Sequence, residues 1–298
     1  MSDKPTITVG DRSVAISSPD KEMVRGVTKL DLAEHWARVG ERTIAHAHGR
    51  LVSAKRAPDG AKGDVFFQKN IPAGMPSWVS HAMVPSESSD DGQIDHVILD
   101  DAGHLVALAQ FGTIEVHVGT WSVDAPFQPR EIILDLDPPP TAPVEHVRSA
   151  AAQTLALCDE LDLPTMLKTT GSKGFHVHVP ITGCDQPRAR AVAQQLAEEL
   201  ARRHPDDLTT EFKKEDRRGR VLVDWWRNGG GATAVAVWSP RVAPRAPVAV
   251  PIQRDELDDV VPDQWGIADI EARLGAAGDP WADAPSPTDL SGVPDDLA

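Results

Sequence analysis

The run EIILDLDPPP sets Asp135 and Asp137 two residues apart at the end of an apolar stretch, directly before three prolines. Side chains alternate along a strand. Ile133, Asp135 and Asp137 therefore share one face, and Ile132, Leu134 and Leu136 the other. Two carboxylates at that spacing repel one another and are costly in a core. A divalent cation relieves the conflict, and hard oxygen donors suit Mg²⁺ or Mn²⁺. A solvated strand end is the plain alternative. A third carboxylate, Asp224, lies near the end of RVLVDWW and is followed by the glycine turn RNGGGA. Three aspartates from two strands suffice to hold two metals for phosphoryl or nucleotidyl transfer.

Other polar groups lie on apolar strands. TTGSKGFHVHVPI offers hydroxyls, a glycine turn and Lys173, a combination able to meet a triphosphate. Within it His176 and His178 face one way, and Phe175, Val177 and Val179 the other. In TIEVHVG, His117 lies opposite Ile114, Val116 and Val118. Taken singly, each histidine also reads as a satisfied structural residue. The turn is not a Walker loop, because the GxxxxGK[ST] spacing is missing.

The elements that must position these residues read as α/β, with strands and helices alternating irregularly, so mixed sheets fit better than a doubly wound parallel one. DLAEHWARVGERTIAHAHG predicts a helix ending at Gly49. DHVILDD, HLVALAQ, TIEVHVG and EIILDLD read as four short strands, with DAG at 101–103 as a turn signal. TAPVEHVRSAAAQTLALCDELD predicts a helix entered near Pro143. TMLKTT and GFHVHVPI predict strands separated by GSKG. DQPRARAVAQQLAEELARRH predicts a helix with Val192, Leu196 and Leu200 on one stripe. RVLVDWW and TAVAVW predict strands flanking RNGGGA.

Composition bounds the function. The 298 residues allow a substantial core. No apolar run is long enough to span a bilayer, and the start, MSDKPTITVGD, lacks a signal-peptide pattern. The two cysteines, Cys158 and Cys184, show no CxxC or zinc spacing. A soluble, cytoplasmic, nucleoid-associated protein is the expectation. The net charge of −15 argues at first against nucleic acid. The charge is partitioned, however. Residues 253–298 hold twelve acidic and two basic residues, whereas residues 21–69 hold ten basic and six acidic ones. KKEDRRGR at 213–220 adds five basic residues against two acidic. A phosphate-binding face is therefore compatible with the acidic total.

Taken together, IEVHVG, ILDLDPP, TTGSKGFHVHVPI and GRVLVDWWRNGGGATAVAVWSPR, with SSPDK, VTK, AKRAPDG and DVFFQKN upstream, resemble the polymerase domain of the bacterial non-homologous end-joining ligase D, a member of the archaeo-eukaryotic primase superfamily. The motifs occur in the family's order over roughly residues 15–255. The resemblance implies a primase-type catalytic core of mixed and antiparallel sheets flanked by helices. It implies one catalytic domain over 1–275, with a DNA-binding part at about 15–90 and a core at about 91–255. Residues 276–298 then form a loose, acidic, proline-rich tail. With no ATP-grasp ligase motif and no phosphoesterase module in view, a stand-alone or excised polymerase module is expected.

The resemblance also implies roles. Asp135, Asp137 and Asp224 would bind two catalytic Mn²⁺ or Mg²⁺ ions. His117 would approach the sugar and phosphates of the incoming nucleotide. Thr170, Lys173 and His176 would line the triphosphate and ribose site, with Arg217 and Arg241 as further phosphate ligands. Lys55 and Arg56 are candidates for the same face, Arg56 also for DNA. Lys21 and Lys29 match lysines that hold the 5′-phosphate of a downstream DNA strand, and Phe66 and Phe67 an aromatic pair that stacks on template bases. Thr170 stands where the family usually has serine, and Arg227 where some members have a glutamine that contacts the nucleotide. The implied activity is template-dependent gap filling and end extension on DNA ends or gapped duplexes, from NTPs or dNTPs with ribonucleotides preferred. Ku and a separate ATP-dependent ligase are the implied partners, without a membrane. De novo priming, or non-catalytic bridging of DNA ends, are the alternatives.

Overall fold

The structure is a computed structural model and describes residues 4–86 and 89–291. The chain divides into two compact units that interleave in sequence rather than meeting at a single boundary near residue 90. The first comprises residues 4–124, Val235–Ala249 and Trp265–Gly278; the second comprises Ala125–Ala234, Val250–Gln264 and 279–291.

The first unit is built on the helix Lys29–Ala47. Thr28 caps it, accepting from the Asp31 N–H while the Asp31 carboxylate accepts from the Thr28 N–H. Leu32, Trp36, Val39 and Ile44 form its buried stripe. The chain leaves through Gly49, whose φ of +73° suits glycine. HLVALAQ, expected as a strand, is instead part of the helix Ala102–Gln110. The DAG signal is its start: the Asp101 side chain accepts from the His104 N–H. Ala102 to Ala109 are all buried, so the segment is apolar on every side and period cannot separate helix from strand. Gly40 lets the two helices approach closely, because a Cβ there would lie 2.6 Å from the Ala102 Cβ. Beside them, the strand Arg50–Arg56 pairs antiparallel with both Phe66–Gln68 and Thr113–Ser122.

The second unit holds a mixed sheet in the order Leu208–Thr209, Val221–Asp224, Glu131–Asp137, Phe175–Thr182, Met166–Thr169, Pro251–Ile252. All these pairs are antiparallel except the first, which is parallel. The helices Val144–Glu160 and Gln186–Arg203 pack on it, the second burying Val192, Leu196 and Leu200 as expected. Leu134, Leu136, Phe175, Val177, Val179 and Val223 fill the core beneath.

The expected loose tail from residue 276 is corrected as far as Ser291. Thr288–Asp289 runs parallel beside Phe175–Thr182, and Trp281 and Leu290 are buried. The Trp281 indole donates to the Leu167 carbonyl at 3.0 Å and meets the His178 ring edge-on. Two apolar anchors thus outweigh the acidic composition; residues 292–298 of the expected tail lie outside the described residues. Replacing a buried tryptophan with alanine costs about 3 kcal/mol. Trp281→Ala should therefore lower the denaturation midpoint clearly, and a chemical-denaturation curve unchanged from wild type would show the segment to be unanchored.

Candidate functional site

The second unit carries the aspartates. Lys168 pairs with His176, His176 with Asp135, and Asp135 with Asp224, so one polar row crosses four adjacent strands. Asp135 and Asp224 stand directly opposite each other. The chain continues from Asp224 into the short 3₁₀ turn Trp226–Asn228, with the Trp226 N–H bonded to the Asp224 carboxylate at 2.8 Å. This turn brings Arg227 over the pair: its Nε lies 3.1 Å from Asp135 Oδ2 and 3.2 Å from Asp224 Oδ2. Asn228 fixes the turn, accepting from the Ile133 N–H and donating to the carbonyls of Ile133 and Trp225, each at 2.8 Å.

The electrostatics follow from this packing. Burial works to raise the Asp135 carboxyl, but His176 and Arg227 overrule it and hold it well below the usual carboxylate range. Burial pushes Asp224 upward; Arg227 pulls it back, and Asp135 adds to the rise. Burial, then the charge of Lys168, push His176 downward while Asp135 pulls it back, and its Nε2 lies 3.3 Å from Asp135 Oδ1. The Asp137 carboxylate lies 2.9 Å from Arg217 Nη1, and its charge also acts on Asp224 and Arg227. Among the described residues, no group of three or more His, Cys, Asp or Glu side chains is gathered as a metal centre.

The GSKG turn lies against the same strand. A Cβ on Gly174 would fall 2.0 Å from the Leu136 carbonyl oxygen, so only glycine fits there. The Thr170 hydroxyl closes this turn, donating to the Gly174 carbonyl at 2.9 Å and accepting from the N–H groups of Ser172 and Gly174. Lys173 is exposed at the tip.

The first unit holds a cluster of opposite sign. Cross-strand register sets Phe67 beside Lys55, Lys55 beside Glu115, and Ser53 beside His117. Glu115 is 1 % exposed. Its carboxylate receives Lys55 Nζ at 3.0 Å, His117 Nε2 at 2.8 Å, Arg241 Nε at 3.1 Å and the Val242 N–H at 2.9 Å. Arg241 reaches it because Ala236–Pro240 is pinned along Thr113–Ser122: the Ala236 N–H bonds to the Val116 carbonyl and the Val116 N–H to Ser239 Oγ. Trp238, wholly buried, holds this turn with φ +63°, and its carbonyl contacts His35 Nε2 at 2.8 Å. Burial opposes ionisation of Glu115, yet the His117 hydrogen bond, the Arg241 charge and the Val242 N–H bring its pKa down to about 2.

Phe66 and Phe67 are 41 % and 59 % exposed. The Arg56 guanidinium lies over Phe66, the Lys55 ammonium over Phe67, and Phe67 meets His117 edge-on. Arg56 also donates to the Phe111 carbonyl and contacts Gln68. Lys21 donates to the Pro58 carbonyl at 2.7 Å. Lys29 is buried at the first turn of its helix, and its backbone N–H donates to the Lys21 carbonyl at 2.9 Å; burial first, then the charge of Lys21, lower its pKa.

The sequence profile of the family described as LigD, primase-polymerase domain, matches residues 28–281. The chain belongs to this family. It is 34 % identical over 283 residues to the multifunctional non-homologous end joining protein LigD of Pseudomonas aeruginosa, covering 91 % of this chain and 32 % of that one. It is 31 % identical over 286 residues to LigD of Mycobacterium tuberculosis, covering 91 % and 37 %. The chain thus spans about a third of the length of these relatives. The solved polymerase domain of M. tuberculosis ligase D in complex with DNA superposes with a TM-score of 0.84 at 31 % identity, covering 91 % of this chain and 99 % of that one. The mixed α/β architecture expected of the family is the one present.

Within this LigD primase-polymerase domain, the structure brings Asp135, Asp224 and His176 together, and separately Lys55, His117 and Arg241, Lys21 and Lys29, and Phe66 and Phe67. It ties Arg217 to Asp137 and commits the Thr170 hydroxyl to its own turn. Sequence reasoning missed Glu115, Asn228 and Lys168. Glu115 carried a signal: it shares the strand face of His117 and is a charged residue in an otherwise apolar strand. Asn228 and Lys168 carried none apart from their positions. Glu115→Gln keeps the shape but removes the charge that gathers Lys55, His117 and Arg241. The depressed Glu115 pKa contributes stability that is present above the ordinary carboxylate value and is lost as pH falls toward about 2. The contribution is on the order of 3 kcal/mol. The variant should be destabilised at pH 7 and should lose less stability than wild type between pH 5 and pH 2, as read by denaturation at each pH; parallel profiles would refute the assignment.

Proposed function

We propose that this domain is a DNA-directed nucleotidyltransferase of end-joining repair that extends a 3′-hydroxyl across gaps and DNA ends on a template. The observation that carries this reading is the Asp135–Asp224 pair, set opposite by strand register and bridged by one guanidinium. Two hard carboxylates around a single positive charge are a donor set that suits Mg²⁺ or Mn²⁺. Arg227 fills the cation's place, so metal loading requires its guanidinium to leave the pair. Asp135 and Asp224 would hold the metals, with Asp137 joining when released from Arg217. A bound metal pair would activate the attacking 3′-hydroxyl and neutralise the leaving pyrophosphate. His176, 3.3 Å from Asp135, orients its carboxylate. Lys173, at the tip of its turn, and the freed Arg217 would meet phosphate oxygens, while Thr170 shapes the turn that carries Lys173.

The first unit supports the anionic substrates. Glu115 holds His117, Lys55 and Arg241 in fixed positions, so imidazole and cationic groups are oriented before a triphosphate arrives. Phe66 and Phe67 offer exposed faces for template bases. Lys21 and Lys29 offer two neighbouring ammonium groups to a terminal 5′-phosphate, which carries more charge than an internal one. The DNA bound by the solved M. tuberculosis relative supports DNA as the substrate class. The family likeness, with polar His117 near the expected sugar, supports a preference for ribonucleotides; a site that hydrogen-bonds a 2′-hydroxyl penalises its absence.

Extension of a gapped duplex with ribo- or deoxynucleotides, in Mg²⁺ or Mn²⁺, tests the whole reading, and equal kcat/KM for the two sugars would remove the sugar preference. Asp135→Asn and Asp224→Asn should each abolish extension, with opposite effects on stability. Ionised Asp135 is favoured by the fold, so its loss should lower Tm. Ionised Asp224 is disfavoured, so its loss should leave Tm unchanged or raise it. Near-normal extension by either variant would sink the assignment.

Binding to the gapped duplex should require its 5′-phosphate, and Lys21→Ala/Lys29→Ala should abolish that requirement. The salt dependence should be shallow, because few phosphates are neutralised. Equal wild-type affinity for the phosphorylated and unphosphorylated duplexes would show the lysine pair to be misassigned.

A further inference from the structure

The second unit carries an aromatic cluster that none of the roles above uses. Trp226 is 50 % exposed and Phe212 43 % exposed, although large aromatic side chains are normally mostly buried. Three separate segments build the cluster. Arg190, on the helix Gln186–Arg203, stacks its guanidinium 3.9 Å from the Trp226 ring centroid and 5.2 Å from that of Trp225. The Trp225 and Trp226 rings meet edge-on at 5.4 Å, and Phe212 stands edge-on to both, at 6.0 and 6.2 Å. Arg190 and the Asn228 clamp hold Trp226 in place, yet half of its surface stays open to water. Phe212 begins a basic stretch in which Lys213, Lys214 and Arg218 are exposed, with Glu215 and Asp216 as the only acids among residues 213–220.

We propose that Trp226, backed by Arg190 and flanked by Phe212, is a stacking shelf for an unpaired nucleobase of a DNA single strand, with the phosphates of that strand running over Lys213, Lys214 and Arg218. The inference rests on the reading of the domain as a nucleic-acid enzyme and adds a strand-binding subsite to it. Every base has a π-face, so a rigid aromatic ring holds single strands without choosing sequence. The Arg190 stack fixes the ring and places a cation beside it. The excess of cations over acids in 213–220 matches a polyanion and not an acidic or neutral peptide. Trp226 also directly precedes Arg227, the residue that bridges Asp135 and Asp224. A strand seated on the shelf therefore engages the turn that carries this bridge.

The test is fluorescence anisotropy with a labelled 5′-hydroxyl single strand of eight nucleotides, without metal or nucleoside triphosphate. It uses protein carrying Phe66→Ala/Phe67→Ala, which removes the other exposed aromatic pair. An abasic strand of equal length is the control. The base-bearing strand should bind about tenfold more tightly than the abasic one. Trp226→Ala should abolish that preference, and Trp226→Phe should restore most of it. Phe212→Ala should weaken it severalfold, independently of any folding defect in the tryptophan variant. Lys213→Ala/Lys214→Ala should flatten the salt dependence for both strands alike. Because binding is read without metal or triphosphate, failure of the shelf and failure of the catalytic reading, which gapped-duplex extension tests, are told apart. Equal binding of abasic and base-bearing strands, or a preference that survives both Trp226→Ala and Phe212→Ala, overturns the proposal and leaves this face to a protein partner.

Discussion

The antiparallel register that sets Asp135 opposite Asp224 is the constraint around which the second unit is arranged. Two carboxylates facing each other at buried strand positions would cost several kcal/mol in desolvation and repulsion if left alone. Each neighbouring feature answers that cost. The 3₁₀ turn after Asp224 exists to present Arg227, and Asn228 staples it with three hydrogen bonds to backbone. Gly174 lets the adjoining turn close onto the Leu136 carbonyl, which keeps the end of the strand walled. His176 lies 3.3 Å from Asp135 and, with Arg227, holds its carboxyl low. The arrangement is satisfied by one diffuse monovalent charge, and it is the kind of satisfaction that a smaller, denser divalent charge can replace.

The first unit inverts this logic. One buried carboxylate, Glu115, receives four donors from three segments of the chain. Here the excess is cationic, and the carboxylate serves as the fixed point that keeps Lys55, His117 and Arg241 from drifting into solvent. Long basic side chains lose considerable rotamer entropy when they bind a phosphate. Holding them beforehand on a buried anion moves that loss into folding, where it is already met. The second unit thus gathers acidic side chains and the first basic ones, within a chain whose net charge of −15 alone suggested neither.

What was legible in the sequence follows from how local each signal is. The helix at Lys29–Ala47 announced itself through its apolar stripe and its terminal glycine, and the Asp135/Asp137 alternation through period two. HLVALAQ misled because burial on all sides removes the period that tells helix from strand, and the capping Asp101 was read as a turn. The tail misled because composition counts acids but does not weigh one buried tryptophan against them. Arg227 was visible only as a departure from a family pattern, since its position between two aspartates depends on a pairing between segments some ninety residues apart. Glu115 was hidden for a similar reason: its partners come from two strands and a turn. Long-range register, not local propensity, decides which polar residues meet.

One physical theme joins the two ends of the chemistry. Lys21 and Lys29 are like charges on adjoining segments; burial first, and then the charge of Lys21, lower the Lys29 pKa. Asp135 and Asp224 are like charges of the opposite sign; burial first raises the Asp224 pKa, Arg227 pulls it back and Asp135 adds to the rise, while His176 and Arg227 hold Asp135 low. A compact, doubly charged group of opposite sign relieves a like-charge pair. A singly charged or diffuse partner relieves it less. On the proposed reading, such pairs favour ligands of high charge density, a 5′-phosphate at the lysines and a divalent metal at the aspartates.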